Sequence, residues 1–182
     1  MFRDKIEQMK NRYEIKCTPG LTAEEMERVE EIYQVSFPKS YRDFLMQALP
    51  VSKGFYNWRD FSAENIEKIK KVMEYPKAYL FSHAQDVTWC DAWGEEPKDA
   101  EEYTGAVREK LAKAPVLLPV FAHRYIPVTG EEDPPVLSVH GADVIYYGEN
   151  LLDYLKVEFG EKKQADIAFG RIVSVEIWSE IL

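Results

Sequence analysis

The sequence is poor in cysteine: two in 182 residues, Cys17 and Cys90, far apart and without metal-ligand spacing. A secreted domain stapled by disulfides carries more, so a reducing compartment is the natural setting. Histidine is nearly as scarce, with three. His83, His123 and His140 form no HxxxH or HxH pair, and there is no CxxC, so no metal site is expected. The longest apolar run, Ala114 to Ala122, is about half of the ~20 residues a membrane-spanning helix needs. The opening MFRDKIEQMK lacks the apolar core of a signal peptide. The cytoplasm is therefore the expected location.

Positive charge is also in short supply, with 23 Lys and Arg against 32 Asp and Glu and a net charge of −9. Phosphate backbones and anionic lipid repel such a chain, which argues against direct binding to nucleic acid or membranes. GxGxxG turns, Walker loops and GxSxG elbows are missing. Ser36-Phe37-Pro38-Lys39 has the bare SxxK spacing without SDN or KTG companions, and Pro38 is accounted for as a helix starter. No cofactor is expected.

What is present is core-forming material. Hydrophobic residues make up 46% and aromatics 13%, which excludes disorder and is enough for one domain over residues 1–182. Phe2, Ile6, Met9 and Tyr13 have helical spacing, and Glu14 to Gly20 reads as a linker. Thr22 and Glu25 form a capping box, with Leu21 and Met26 as its hydrophobic staple, opening a helix over 23–34. Pro38 opens a helix with Tyr41, Phe44, Leu45 and Ala48 on its buried stripe, and Pro50 stops it. Phe55 to Trp58 reads as a strand or hairpin arm. Ser62 caps a helix carrying Ile66, Ile69 and Met73 that Pro76 ends, and Ala78 to Phe81 follows as a short strand.

Asp99 caps a further helix with Tyr103, Val107 and Leu111 on one side. Val116 to Phe121, Val136 to Val139 and Val144 to Tyr147 read as strands, Asn150 starts a helix, and the tail from Ile172 reads as a strand running into a helical turn. Helices early and strands later predict an α+β fold, with a mostly antiparallel or mixed sheet and helices packed on it.

Two stretches carry candidate chemistry. Between Asp91 and Glu102 lie Asp91, Glu95, Glu96, Asp99, Glu101 and Glu102 against the single base Lys98, next to Trp89 and Trp93. Indoles in an acidic loop have the composition of a protein-binding surface, and a basic partner is steered toward it. The competing reading has both indoles plugging the core and the acids merely solvated. His123-Arg124-Tyr125-Ile126-Pro127 reads as a strand-end loop able to touch a ligand, with Arg124 as a structural brace to a nearby carboxylate in the competing reading. Cys90 or Asp91 with His123 would suit a small enzyme, but no nucleophile motif surrounds Cys90, so an enzyme is not expected.

The early unit Leu21-Thr22-Ala23-Glu24-Glu25, Glu30, Phe37-Pro38-Lys39-Ser40-Tyr41 and Phe44-Leu45 resembles the opening of the SUKH superfamily, which includes the yeast cell-wall-assembly regulator and many bacterial proteins. Val136-Leu137-Ser138-Val139, Asp143 to Gly148 and Asn150-Leu151 look like that family's strand pair and following helix. Trp89-Cys90-Asp91 and His123 to Pro127 look like markers of a bacterial subgroup. The resemblance covers residues 21–159, departs at Gln47-Ala48-Leu49-Pro50, where the family often has an Asn-Gly turn, and supplies no catalytic residues. It implies an α+β fold and an immunity protein that binds and neutralises a contact-delivered toxin, for example a basic nuclease. The alternative it implies is a regulatory scaffold docking onto a housekeeping enzyme. The expected partner-binding residues are Trp89, Asp91, Trp93, Glu95, Glu96, His123, Arg124 and Tyr125.

Overall fold

A computed structural model of the chain describes residues 2–182. The elements run α1 (Arg3–Arg12), β1 (Cys17–Pro19), α2 (Ala23–Tyr33), α3 (Lys39–Gln47), β2 (Ala48–Pro50), α4 (Ala63–Ser82), α5 (Ala100–Lys113), β3 (Leu117–Phe121), β4 (Arg124–Pro127), β5 (Val136–His140), β6 (Asp143–Gly148) and α6 (Leu151–Glu158). The fold is α+β. Strands β3-β4-β5-β6 form an antiparallel meander in sequence order, and β1 pairs with β2 in a separate antiparallel ribbon.

Alternation along the meander builds two cores, because successive strand residues point to opposite faces. Leu118, Val120, Ile126 and Val136 face a core shared with α1, α2, α3 and α6. Leu117, Tyr125, Leu137, Val139 and Val144 face a second core with Leu80 of α4, Val107 and Leu111 of α5, and the tail residues Val175, Ile177 and Trp178. Both faces are covered, which explains why Val136 to Val139 is buried throughout.

Local chemistry sets the helix starts. The Thr22 hydroxyl accepts the Glu25 amide at 3.1 Å while the Glu25 carboxylate accepts the Thr22 amide at 2.9 Å, completing the expected capping box. Leu21 and Met26 are both buried, as a staple requires. The Glu25 carboxylate also takes a bidentate pair from Arg59, at 2.7 and 2.9 Å. Arg59 goes on to donate to the carbonyls of Pro19 and Gly20, tying the ribbon to α2. Asp99 and Asn150 cap α5 and α6 as read from the sequence.

Five local readings are corrected. Glu14 to Gly20 contains strand β1, paired with the segment that was read as the end of a helix: α3 stops at Gln47 and Ala48–Pro50 is β2. Phe55 to Trp58 is a loop joined to β3 by the isolated Phe55–Phe121 bridge. Pro76 does not end α4; the helix runs through it to Ser82 and absorbs the strand expected at Ala78 to Phe81. Pro76 is buried in the helix, and a compensating contact comes from a residue distant in sequence. Proline has no N–H, so the carbonyl of Val72 loses its helical donor, and the Tyr125 hydroxyl on β4 donates to that carbonyl at 3.4 Å.

The tail forms no strand. It makes 3-10 turns at Gln164–Asp166 and Phe169–Arg171 and a hydrogen-bonded turn over residues 176–180. Ile177, a β-branched residue, sits there at φ 65°, a backbone region such residues rarely adopt. Its burial and the Trp178 indole, which donates to the Pro115 carbonyl at 2.8 Å, hold the turn in place. No helix among the described residues is long and apolar enough to cross a membrane.

Candidate functional site

The acidic segment joins α4 to α5 through two 3-10 turns, Ala84–Asp86 and Asp91–Trp93. Its framework is aromatic. The Trp89 ring meets Trp93 edge-on at 5.3 Å and Tyr103 at 5.5 Å, and all three pack against the second core. Each polar tip has an intramolecular partner. The Trp89 indole donates to the Gly94 carbonyl at 3.0 Å, the Trp93 indole to Glu180 at 2.5 Å, and the Tyr103 hydroxyl to the Val87 carbonyl at 2.6 Å. Burial, with the nearby Glu96 carboxylate as a smaller cause, raises the Tyr103 pKa and keeps that phenol a donor.

The two indoles are half-buried and fully engaged, whereas Asp91, Glu95 and Glu96 are exposed. Asp99 is spent on capping, accepting the amides of Glu101 and Glu102 at 2.9 and 3.0 Å. The result is a braced ridge that projects Asp86, Asp91, Glu95, Glu96, Glu101 and Glu102 into solvent. Trp89 and Trp93 support it from below.

Of the stretch read as a strand-end loop, only His123 lies in a turn; Arg124 to Pro127 form β4. Arg124 and Tyr125 belong to β4, so their side chains leave on opposite faces. Arg124 points to the first core, where its guanidinium donates to Ser138 at 2.7 Å, lies 3.4 Å from the Glu158 carboxylate of α6 and covers the Tyr147 ring at 3.7 Å. It is a brace between strand and helix, with a partner far along the chain instead of in the adjacent acidic loop. Tyr125 is buried on the other face, where it completes α4. Tyr125 is 3% exposed and the Arg124 side chain 12%.

His123 sits in the β3–β4 turn, its ring 5.6 Å from His140 at the end of β5. Desolvation first, then Arg124 and His140, lower its pKa, against a smaller opposing pull from Asp143. Cys90 precedes and Asp91 opens the 3-10 turn, their carbonyls accepting the Trp93 and Gly94 amides. No group of three or more His, Cys, Asp or Glu side chains among the described residues is placed to hold a metal ion. A small cavity of about 50 Å3, lined by Asp86, Thr88 and Ala142 among others, shows the β5–β6 turn lying against the start of the ridge.

Sequence reasoning missed one feature entirely. A groove of about 850 Å3 runs between α4, the C-terminal end of α2 and the residues leading into β3, with Trp178 at its base. Its only signal in the sequence was the i, i+3, i+4 recurrence of Lys70, Met73, Glu74, Lys77 and Phe81, which the helix break assigned to Pro76 obscured.

Compared with protein-family models, curated proteins and solved structures, the chain has no match.

Proposed function

We propose that this chain is a cytoplasmic protein-binding module of the immunity type, which captures a basic toxin domain through the carboxylate ridge between α4 and α5. The observation that carries the reading is the bracing of that ridge: both indole N–H groups and the Tyr103 hydroxyl are bonded within the chain, so the exposed acids stand on a fixed frame. A preorganised surface loses little conformational freedom on binding. Clustered charge of one sign also raises the encounter rate with an oppositely charged partner. The likeness of residues 21–159 to the SUKH superfamily points the same way.

A basic nuclease suits this surface chemically, because carboxylates can occupy a groove built for phosphates. Binding then blocks the substrate path without breaking any bond in the target. Asp91, Glu95 and Glu96 supply the attraction, and Trp89 and Trp93 hold the geometry.

The test begins with co-purification of the partner from the source cells, followed by stopped-flow association with the purified partner. Replacing Asp91, Glu95 and Glu96 with Asn, Gln and Gln is expected to slow association about tenfold at low salt and to flatten its salt dependence. Co-expression of the native chain is expected to rescue cells from the recovered partner. An unchanged on-rate and salt slope, or a partner with no basic surface, defeats the reading.

A further inference from the structure

The groove beside α4 has the opposite electrostatic character to the ridge and to the chain as a whole. Lys70, Lys77 and Arg108 line it against a single acid, Glu74, in a protein of net charge −9. Among the described residues none of these three cations pairs with a carboxylate. Lys77 donates to the Ala114 carbonyl at 2.7 Å, and Arg108 donates through Nε to the Phe81 carbonyl at 3.1 Å, which leaves its terminal nitrogens free. These bonds fix both cations on the groove wall without neutralising them.

Between the cations the surface is apolar. Phe81 and Val116 keep 41% and 40% of their surface in contact with solvent, on the α4 side and the β3 side. Val35 and Met73 continue the apolar lining, and the indole of Trp178, only 1% exposed, closes the base. The volume falls in the range of ligand-sized clefts, ~300–1,000 Å3. Its exposed apolar lips, however, suit a chain segment lying along the cleft better than a small molecule that must be enclosed.

We propose that this groove docks an acidic segment of a partner protein, whose bulky apolar side chains seat over Trp178 between Phe81 and Val116 while its carboxylates meet Lys70, Lys77 and Arg108. Charge complementarity selects this occupant. The apolar lips supply burial, and three unpaired cations beside them reject basic or neutral segments in favour of acidic ones. The inference stands apart from the ridge, so its failure leaves the proposed function in place.

The probe is a phage-displayed library of random short peptides, selected on the full chain. The most enriched peptide is then synthesised with a fluorescent label and its Kd measured by anisotropy. Enriched sequences are expected to combine Asp or Glu with Phe, Trp, Leu or Ile, and to bind more weakly as salt rises. Affinity is expected to fall about tenfold for the double variant K70E/R108E and for V116D, all at exposed positions, with circular dichroism unchanged. The salt dependence on the native chain tests the charge claim even if a variant misfolds. The proposal is overturned by an absence of enrichment, by enriched peptides without acids, or by equal affinity for native chain and folded variants. It is also overturned if dodecanoate fills the groove while no peptide does, or if a dimer of this chain occupies it.

Discussion

Tyr125 and Pro76 offer a sharp test of how the helices are held on the sheet. In a helix interior a proline removes one hydrogen bond and crowds the carbonyl four residues earlier, costing ~3 kcal/mol relative to alanine. Here that carbonyl belongs to Val72, and the Tyr125 hydroxyl reaches it at 3.4 Å. Burial raises the Tyr125 pKa, so the phenol stays protonated and remains a donor. Tyr125→Phe deletes the donor and leaves the carbonyl without a partner, a loss of ~1–3 kcal/mol for a well-formed buried bond. The length of this bond places the expected cost near the lower bound, about 1 kcal/mol. On a Pro76→Ala background the restored amide serves Val72 itself, and the same tyrosine substitution is expected to cost only a few tenths of a kcal/mol. Urea denaturation followed by tryptophan fluorescence, run as a double-mutant cycle, reads the coupling directly and cancels the lost packing of the proline ring. A coupling within the ~0.3–0.5 kcal/mol that independent sites show would refute the reasoning.

Other substitutions test other parts of the frame. Gly20→Ala would place a Cβ 1.9 Å from the Met46 carbonyl oxygen, and is expected to destabilise the chain by about 1–3 kcal/mol in the same denaturation assay. Tyr41→Phe strands both the Pro119 carbonyl and the Trp58 indole, bonded at 2.8 and 3.1 Å in full burial; a loss of about 2–4 kcal/mol is expected from two unsatisfied groups. Burial, with a smaller push from Asp60, moves the Tyr33 phenol up to about 12. Its unfolded value is ~10, so its neutral form stabilises the fold up to that pH and the contribution is lost as pH rises from there through the folded value. Alkaline denaturation midpoints are therefore expected to rise in Tyr33→Phe, and phenolate absorbance of the native protein to lag that of the unfolded chain.

The parts of the fold that could be read from sequence were those decided by neighbours along the chain. Thr22 and Glu25, Asp99, and Asn150 lie within three residues of the amides they cap, so their helix starts were visible. The strands of the meander were visible where apolar runs are continuous, as at Val136 to Val139. What escaped was decided at long range. Nothing near Pro76 indicates that a tyrosine 49 positions later completes its helix. Strand β4 was hidden because His123 and Arg124 look like loop chemistry and Pro127 like a stop, although Arg124 pairs with Ser138 in register and Pro127 with Leu117. The site was half legible: composition located the acids, but only the packing of Trp89 and Trp93 on Tyr103 and Glu180 shows that the indoles support the ridge from beneath.

The ridge and the groove share α5, and the simplest account of their opposite charge is the helix itself. Acids at the first turn and bases at the last complement the macrodipole, each worth ~0.3–1 kcal/mol, and α5 has Glu101 and Glu102 at one end and Lys110 and Lys113 at the other. That account covers Glu101 and Glu102 only, because Lys110 and Lys113 do not line the groove and Arg108 lies before the last turn. It leaves Asp91, Glu95 and Glu96 on the preceding loop unexplained, as well as Lys70 and Lys77 on α4, where no terminus is near. Glu101 and Arg108 are seven positions apart along the helix, ~10 Å at 1.5 Å per residue, which exceeds the ~8 Å screening length at physiological salt. Each surface then acts on its own partner. K70E/R108E is expected to leave association with a basic partner at the ridge unchanged at physiological salt, and neutralising Asp91, Glu95 and Glu96 to leave peptide affinity at the groove unchanged. Surface plasmon resonance on both variants checks this, and a shift at the unmodified surface would mean that the two share one binding event.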